Sequence, residues 1–181
     1  MFPAMRLAGL IFFISTFGLI LLTGQQPKDE QLAPYYPTPQ IVVDKMLQLG
    51  GLKAGEKMFD LGSGDGRIVI RAAKNFGARG VGVEIDPALI KSAAKNAAKA
   101  GVSDRVTFRQ EDLFKTDLSG ATVVTLYLSN SINMRLRGIL ERLKPGTRIV
   151  SHRFTMGDWK PDAERRLEGT SIYLWTIPGR P

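Results

Sequence analysis

The turn Asp60-Leu61-Gly62-Ser63-Gly64-Asp65-Gly66-Arg67 constrains this chain more than any other feature of its sequence. The apolar run before it predicts a strand over 57–60, and residues 68–76 predict a helix, so the glycines sit at a strand, turn, helix junction. Glycine lacks a Cβ, which lets the backbone at such a turn approach a ligand closely, and the helix N-terminus beyond it offers unpaired N–H groups. Glu84 closes a second predicted strand, 80–84. An acid about 20 residues beyond the glycines is where folds of this kind accept the hydroxyls of a ribose. An isolated glycine turn would be only a tight loop. With the strand, the helix and the later acid, it reads as a site for a nucleotide-like ligand.

The spacing narrows the ligand. A dinucleotide turn has the pattern GxGxxG, with its third glycine at position 67, where this chain has Arg67; the pattern here is GxGxG. Asp60 lies two residues before Gly62, at the strand end, where a carboxylate faces a cationic ligand. S-adenosyl-L-methionine is such a ligand. Its ammonium and sulfonium groups are positive, and its ribose needs an acceptor of the Glu84 kind.

Composition sets the outer limits. The 181 residues suffice for one domain with a real core. Formal net charge is +8, almost all of it after Lys28, so the folded part carries a basic surface suited to nucleic acid, anionic headgroups or an acidic protein, or simply to solvent. The absence of cysteine excludes disulfides, cysteine-ligated zinc and methyl transfer through a cysteine nucleophile. With His152 the only histidine, no metal site is expected.

Residues 7–22 are almost wholly apolar and follow Arg6, which reads as a membrane anchor or a signal peptide. Leu22-Thr23-Gly24 lacks the small residue a cleavage site needs at its −3 position, which favours an uncleaved helix over residues 1–24. Arg6 and the amino terminus weakly favour an inside N-terminus, but Lys28 and Lys45 on the other flank keep that bias small, and the cofactor is made inside the cell. The expectation is a single-pass anchor with the catalytic domain on the cytoplasmic side; the alternative is export through a signal peptide. Residues 25–37, with three prolines, read as a linker, and 38–181 as the catalytic domain.

Further elements follow from periodicity and caps. Thr38 is the expected N-cap of a helix that begins at Pro39 and stops at Gly50-Gly51. Asp86-Pro87 begins a long helix ending at Gly101; strands are expected over 105–110, 122–128 and 148–154, a helix over 132–143, and a hairpin over 165–177 that turns at Gly169-Thr170. Strands alternating with helices imply a parallel sheet, and the hairpin adds an antiparallel edge. The fold class is α/β, a Rossmann-like, doubly wound, seven-stranded sheet preceded by an N-terminal hydrophobic helix. Ligands of such sheets sit at the carboxyl ends of the strands, where Asp60, Glu84 and Asp112 all fall. Asp112 is a partner for an adenine amino group or, alternatively, a turn cap.

These features resemble the class I, seven-stranded S-adenosylmethionine-dependent methyltransferases. More narrowly, PYYPTP from Pro34, DLGSGDGRIVI from Asp60, GVEID from Gly82, ATVVTLYL from Ala121 and LKPGTRIVSHRF from Leu143 resemble one subfamily. It comprises the archaeal broad-specificity protein-lysine methyltransferases and the membrane-anchored mitochondrial ones acting on ATP synthase subunit c and the adenine nucleotide translocator. The resemblance implies that Tyr35, Pro37 and Thr38 cover the cofactor, that Asp60, Gly62, Gly64 and Glu84 hold it, and that Asp112 meets its adenine. It implies a protein substrate with an accessible lysine, a membrane protein included. Transfer of a sulfonium methyl to a neutral amine needs mainly positioning, so no dedicated base is assigned.

Tyr127, Ser129 and Asn130 after the fourth strand, with His152 and Trp159 around the fifth, are the substrate-channel candidates. Each has a plainer alternative: core packing for Tyr127 and His152, helix capping for Ser129 and Asn130, closure of the sheet edge for Trp159. Rival functions are methylation of a phospholipid or small amine, of nucleic acid, or binding without catalysis. Nucleic-acid amino and glutamine methyltransferases carry an Asn/Asp-Pro-Pro-aromatic motif after the fourth strand, where this chain has Leu128-Ser129-Asn130-Ser131.

Overall fold

The computed structural model describes residues 35–179. The expected anchor over 1–24 and most of the linker lie outside the described residues. Among the described residues no helix is long and apolar enough to cross a membrane.

The domain is one mixed sheet of seven strands. These are β1 (Lys57–Leu61), β2 (Arg79–Glu84), β3 (Val106–Gln110), β4 (Val123–Leu126), β5 (Arg148–His152), β6 (Ala163–Leu167) and β7 (Thr170–Thr176), in the order β3-β2-β1-β4-β5-β7-β6. The first five run parallel, and β7 pairs antiparallel with both β5 and β6. Strand order reverses between β1 and β4, so the crevice beyond their carboxyl ends is where such a sheet takes a ligand.

Alternation along the strands separates two cores. Met58, Val123, Val150 and Ile172 point to the face covered by helices α1 (Gln40–Leu49) and α2 (Arg67–Phe76). Phe59, Leu61, Val124, Leu126, Ile149 and Trp175 point to the other, where Ile132, Leu136 and Leu140 of helix α4 (Asn130–Leu140) meet them. Strands covered on both faces read as continuous apolar runs, as these do. Helix α3 (Pro87–Ala100) packs on α2 and the outer strands through Ala93 and Ala97. Asp44 of α1 takes both Arg71 Nε and Nη2 of α2 at 2.5 and 2.7 Å, a forked pair that fixes the register of the two helices.

Several boundaries differ from the sequence reading, among them the end of α4 at Leu140 rather than 143. The N-cap position of α1 is Pro39 and receives no side-chain bond; Thr38 is buried and faces the cleft described below, so it does not cap. Helix α4 begins at Asn130, two residues early, because Ser129 Oγ accepts from Ile132 N. β4 and β5 each stop two residues short of expectation, where the chain leaves the sheet to line the crevice or to turn at Arg153.

Candidate active site

Beyond the carboxyl ends of β1, β2 and β4 lies a cleft of about 220 Å³, against the roughly 10–15 Å³ that one water requires. Its floor is the glycine turn. Gly62 and Gly64 have φ of 78° and 52°, and neither has room for a side chain. A Cβ on Gly62 would lie 2.7 Å from Leu128, and one on Gly64 would lie 2.5 Å from the Tyr35 ring. Gly62 N–H and Ser63 N–H both donate to Val83 O, tying the turn to β2. Ser63 Oγ is buried, opens on the cleft and has no hydrogen-bond partner among the described residues.

Glu84 anchors this frame. Its carboxylate accepts from Gly64 N at 3.0 Å, Ile85 N at 2.8 Å and Asp86 N at 3.1 Å, so it fastens the glycine turn to the start of α3. Three of about four lone-pair directions are taken by backbone. Glu84, expected to accept both hydroxyls of a ribose, thus also serves the backbone, with Oε1 taking two N–H groups and Oε2 one.

Asp60 is 2% exposed at the end of β1 and accepts from Thr125 Oγ1 at 2.7 Å. Burial is the main cause that pushes its carboxyl up to about 7, with Glu84 and Asp65 adding repulsion, against the opposing Thr125 bond. A buried acid held near neutrality faces the cleft, and among the described residues no cation pairs with it. A cation there would restore its ionisation.

Residues 35–38 lie along the cleft wall, so the end of the expected linker, Tyr35 and Pro37, lines the site together with Thr38. Arg67 Nη1 donates to Thr38 O at 3.0 Å, and the same guanidinium grips Asp65 through Nε at 2.9 Å and Nη2 at 2.8 Å. Burial raises the Asp65 carboxyl, but the Arg67 contacts outweigh it and hold the acid below its ordinary range. The Tyr35 phenol is raised, by burial first and then by Asp65.

All eight residues expected at the cofactor, Tyr35, Pro37, Thr38, Asp60, Gly62, Gly64, Glu84 and Asp112, come together in this cleft. Asp112 caps a turn, accepting from Phe114 N at 2.9 Å, and also lines the cleft. Of the channel candidates only Tyr127 lines the cleft. Ser129 caps α4, Asn130 is exposed at its first turn, and Trp159 packs on Trp175, whose Nε1 donates to Trp159 O at 2.9 Å. His152 is 3% exposed, packs tilted against Tyr127 with ring centroids 4.0 Å apart, and meets Thr170 Oγ1 through Nε2 at 3.0 Å. Burial, then the charge of Arg153, lowers its pKa to about 4, so it is neutral at physiological pH. Sequence reasoning missed Ser63, Glu111 and Arg67. Ser63 and Arg67 stood inside the motif, but nothing in the pattern said that one opens on the cleft and the other reaches back to Thr38.

A model of the ANTKMT methyltransferase domain matches residues 60–163. The chain belongs to that family. It is 42% identical to a protein-lysine N-methyltransferase of Saccharolobus islandicus over 80% of this chain and 93% of the relative. It is 39% identical to the adenine nucleotide translocase lysine N-methyltransferase of Mus musculus over 72% of this chain, which spans 57% of that protein. A crystal structure described as an RNA methyltransferase from Salinibacter ruber, in complex with S-adenosyl-L-homocysteine, is 60% identical and superposes with a TM-score of 0.79, covering 80% of this chain and 95% of its own. As an ANTKMT-domain protein the chain is a class I S-adenosylmethionine-dependent methyltransferase. The cleft fits that cofactor by its own chemistry: an uncompensated buried acid, a turn whose glycines leave no space for a Cβ, and an unpartnered Ser63 hydroxyl.

Proposed function

We propose that this cleft methylates lysine side chains of proteins. The observation that carries the reading is the lining beyond β4: Tyr127, Leu128 and Ile132 form an aromatic and apolar end, and Ser129 is spent on capping α4. An apolar end lowers the pKa of an entering ammonium and so favours the neutral amine, while offering no pair of polar groups to grip a planar amide or base. Similarity to the Saccharolobus islandicus enzyme runs through this half of the domain as well as the cofactor half.

In this reading Asp60, Gly62, Gly64, Glu84 and Asp112 hold the cofactor, and Tyr35, Pro37 and Thr38 shield it from water. When bound, S-adenosyl-L-methionine supplies a sulfonium methyl that a neutral lysine amine takes as the thioether leaves, the amine proton passing to water. Asp60 counters positive charge in the cleft, and the Tyr127 end orients the amine. Residues 7–22 form a single-pass anchor that leaves the domain on the side where the cofactor is made, which suits a substrate in or near a membrane.

Incubating the full-length protein with methyl-labelled cofactor, a membrane extract and total RNA, then mapping the label, tests the proposal. Label on lysine is expected. The name of the Salinibacter ruber protein and the net charge of +8 favour RNA as the second reading, and label in RNA alone would replace the first with it. Label in lipid would sink both. A compartment-sensitive reporter fused after Pro181 reads the side of the membrane.

A further inference from the structure

One turn beside the cleft is held in a conformation that its sequence does not favour. Arg153 has φ of 70°, the only positive value outside glycine among the described residues. The turn is closed across a single residue, with Phe154 N donating to His152 O at 2.9 Å. Three-residue turns with a positive central φ are rare and strained, and an L side chain there persists only where its surroundings force it.

The forcing groups are buried and polar. Asn133 of α4, fully buried, donates through Nδ2 to Ser151 Oγ at 3.1 Å and to Phe154 O at 3.2 Å. Ser151 Oγ donates to the same Phe154 carbonyl at 2.6 Å, and Arg153 N donates to Ser171 O of β7 at 2.8 Å. A buried amide, a buried hydroxyl and a neighbouring strand thus converge on three residues. Glycine would satisfy the backbone at 153 without strain, yet the chain has an arginine, exposed and lying over the Phe154 ring at 5.8 Å. His152 and Phe154, on either side of it, flank the Tyr127 ring, with centroids at 4.0 and 6.2 Å. Tyr127 is the wall of the cleft.

We infer that Arg153 is a specificity residue, presented by the Asn133–Ser151 network to an acidic side chain that flanks the target lysine. The inference rests on the lysine reading. Strain clusters where a side chain must be aimed, and an exposed guanidinium on the turn between His152 and Phe154, the two rings next to the cleft-lining Tyr127, pairs with a carboxylate in forked geometry. Such a contact selects among lysines without taking part in the chemistry, and Asn133 acts through it as a positioning residue.

Three synthetic peptides with one central lysine, flanked by aspartate, alanine or arginine, test this with the full-length protein and labelled cofactor. The kcat/KM ratio of acidic-flanked over basic-flanked peptide is expected at about fivefold or more in the wild type. Arg153→Gly, which the backbone accepts and which should raise the thermal midpoint, brings the ratio near one; Arg153→Glu inverts it. The same preference in Arg153→Gly as in the wild type overturns this inference and leaves the lysine reading standing. No methylation of any peptide, when total RNA added to the same reactions takes the label instead, overturns both.

Discussion

Asp60 and His152 are both buried and both titrate far from their ordinary values, in opposite directions. Asp60 is raised from 3.8 to about 7, so between those values the folded domain keeps a proton that the unfolded chain has released. Stability from this group is therefore full at low pH and falls by about 4 kcal/mol as pH rises from about 4 to about 7, at 1.36 kcal/mol per unit. His152 is lowered to about 4, so its contribution is full above pH 6.5 and is lost as pH falls toward 4. The two slopes oppose. Urea unfolding of the ligand-free protein should show a shallow pH profile between 4.5 and 6.5, whereas Asp60→Asn should lose stability steeply on acidification over that range; a profile unchanged by the substitution would mean that Asp60 is ionised throughout. Cofactor binding should also release a large fraction of a proton at pH 6.5, read as a dependence of the calorimetric heat on the buffer's ionisation enthalpy. Glu84→Gln is a different case. The amide would turn an N–H donor toward one of three backbone N–H groups, so loss of cofactor affinity should come with a destabilised turn, about 1–3 kcal/mol by denaturant. A variant that loses affinity at full stability would make Glu84 a ligand contact alone.

At the level of elements, what the sequence disclosed depended on whether a local rule decided the matter. α3 begins at Pro87 with Asp86 Oδ1 accepting from Ala88 N at 2.7 Å and ends before Gly101, as its cap residues foretold. β1 and β2 were visible as apolar runs. The ends of β4 and β5 were not, because Tyr127, Leu128, Arg153 and Phe154 have the composition of strand residues and are drawn out of the sheet by tertiary contacts. No sequence rule anticipates an arginine at positive φ. Thr38 has ideal cap chemistry but is recruited to the cleft wall, where Arg67 binds its carbonyl. The packing of Tyr35 on Gly64 was equally invisible, and it supports a test. Gly64→Ala places a methyl group 2.5 Å from the ring at a φ of 52°, so it should cost about 1–2 kcal/mol and displace Tyr35 from the turn. S-adenosyl-L-homocysteine affinity should fall at least tenfold, by calorimetry; affinity within twofold of wild type would show that Tyr35 has no part in covering the ligand.

For the whole molecule, the parallel run of β1 to β5 follows from the alternation of strand and helix patterns, whereas the strand order, with its reversal between β1 and β4 that places the site, came only with the structure. The cleft joins residues from Tyr35 to Ile132, so its occupant braces most of the sheet. A ligand at one hundred times its Kd should add about 2.7 kcal/mol, and in a domain of this size raise the thermal midpoint by about 5–10 °C. S-adenosyl-L-homocysteine should do so, and adenosine alone, without the charged group that Asp60 faces, should do so far less. Equal shifts would show that Asp60 does not see the ligand.

The outer rim of the sheet has its own consequence. Among the described residues no strand pairs with the outer side of β6, and its middle residues are Glu164, Arg165 and Arg166, all exposed. Another copy sliding alongside in register would bring arginine against arginine, and an unpaired edge of this kind resists fibril seeding at the concentrations a crowded cell imposes.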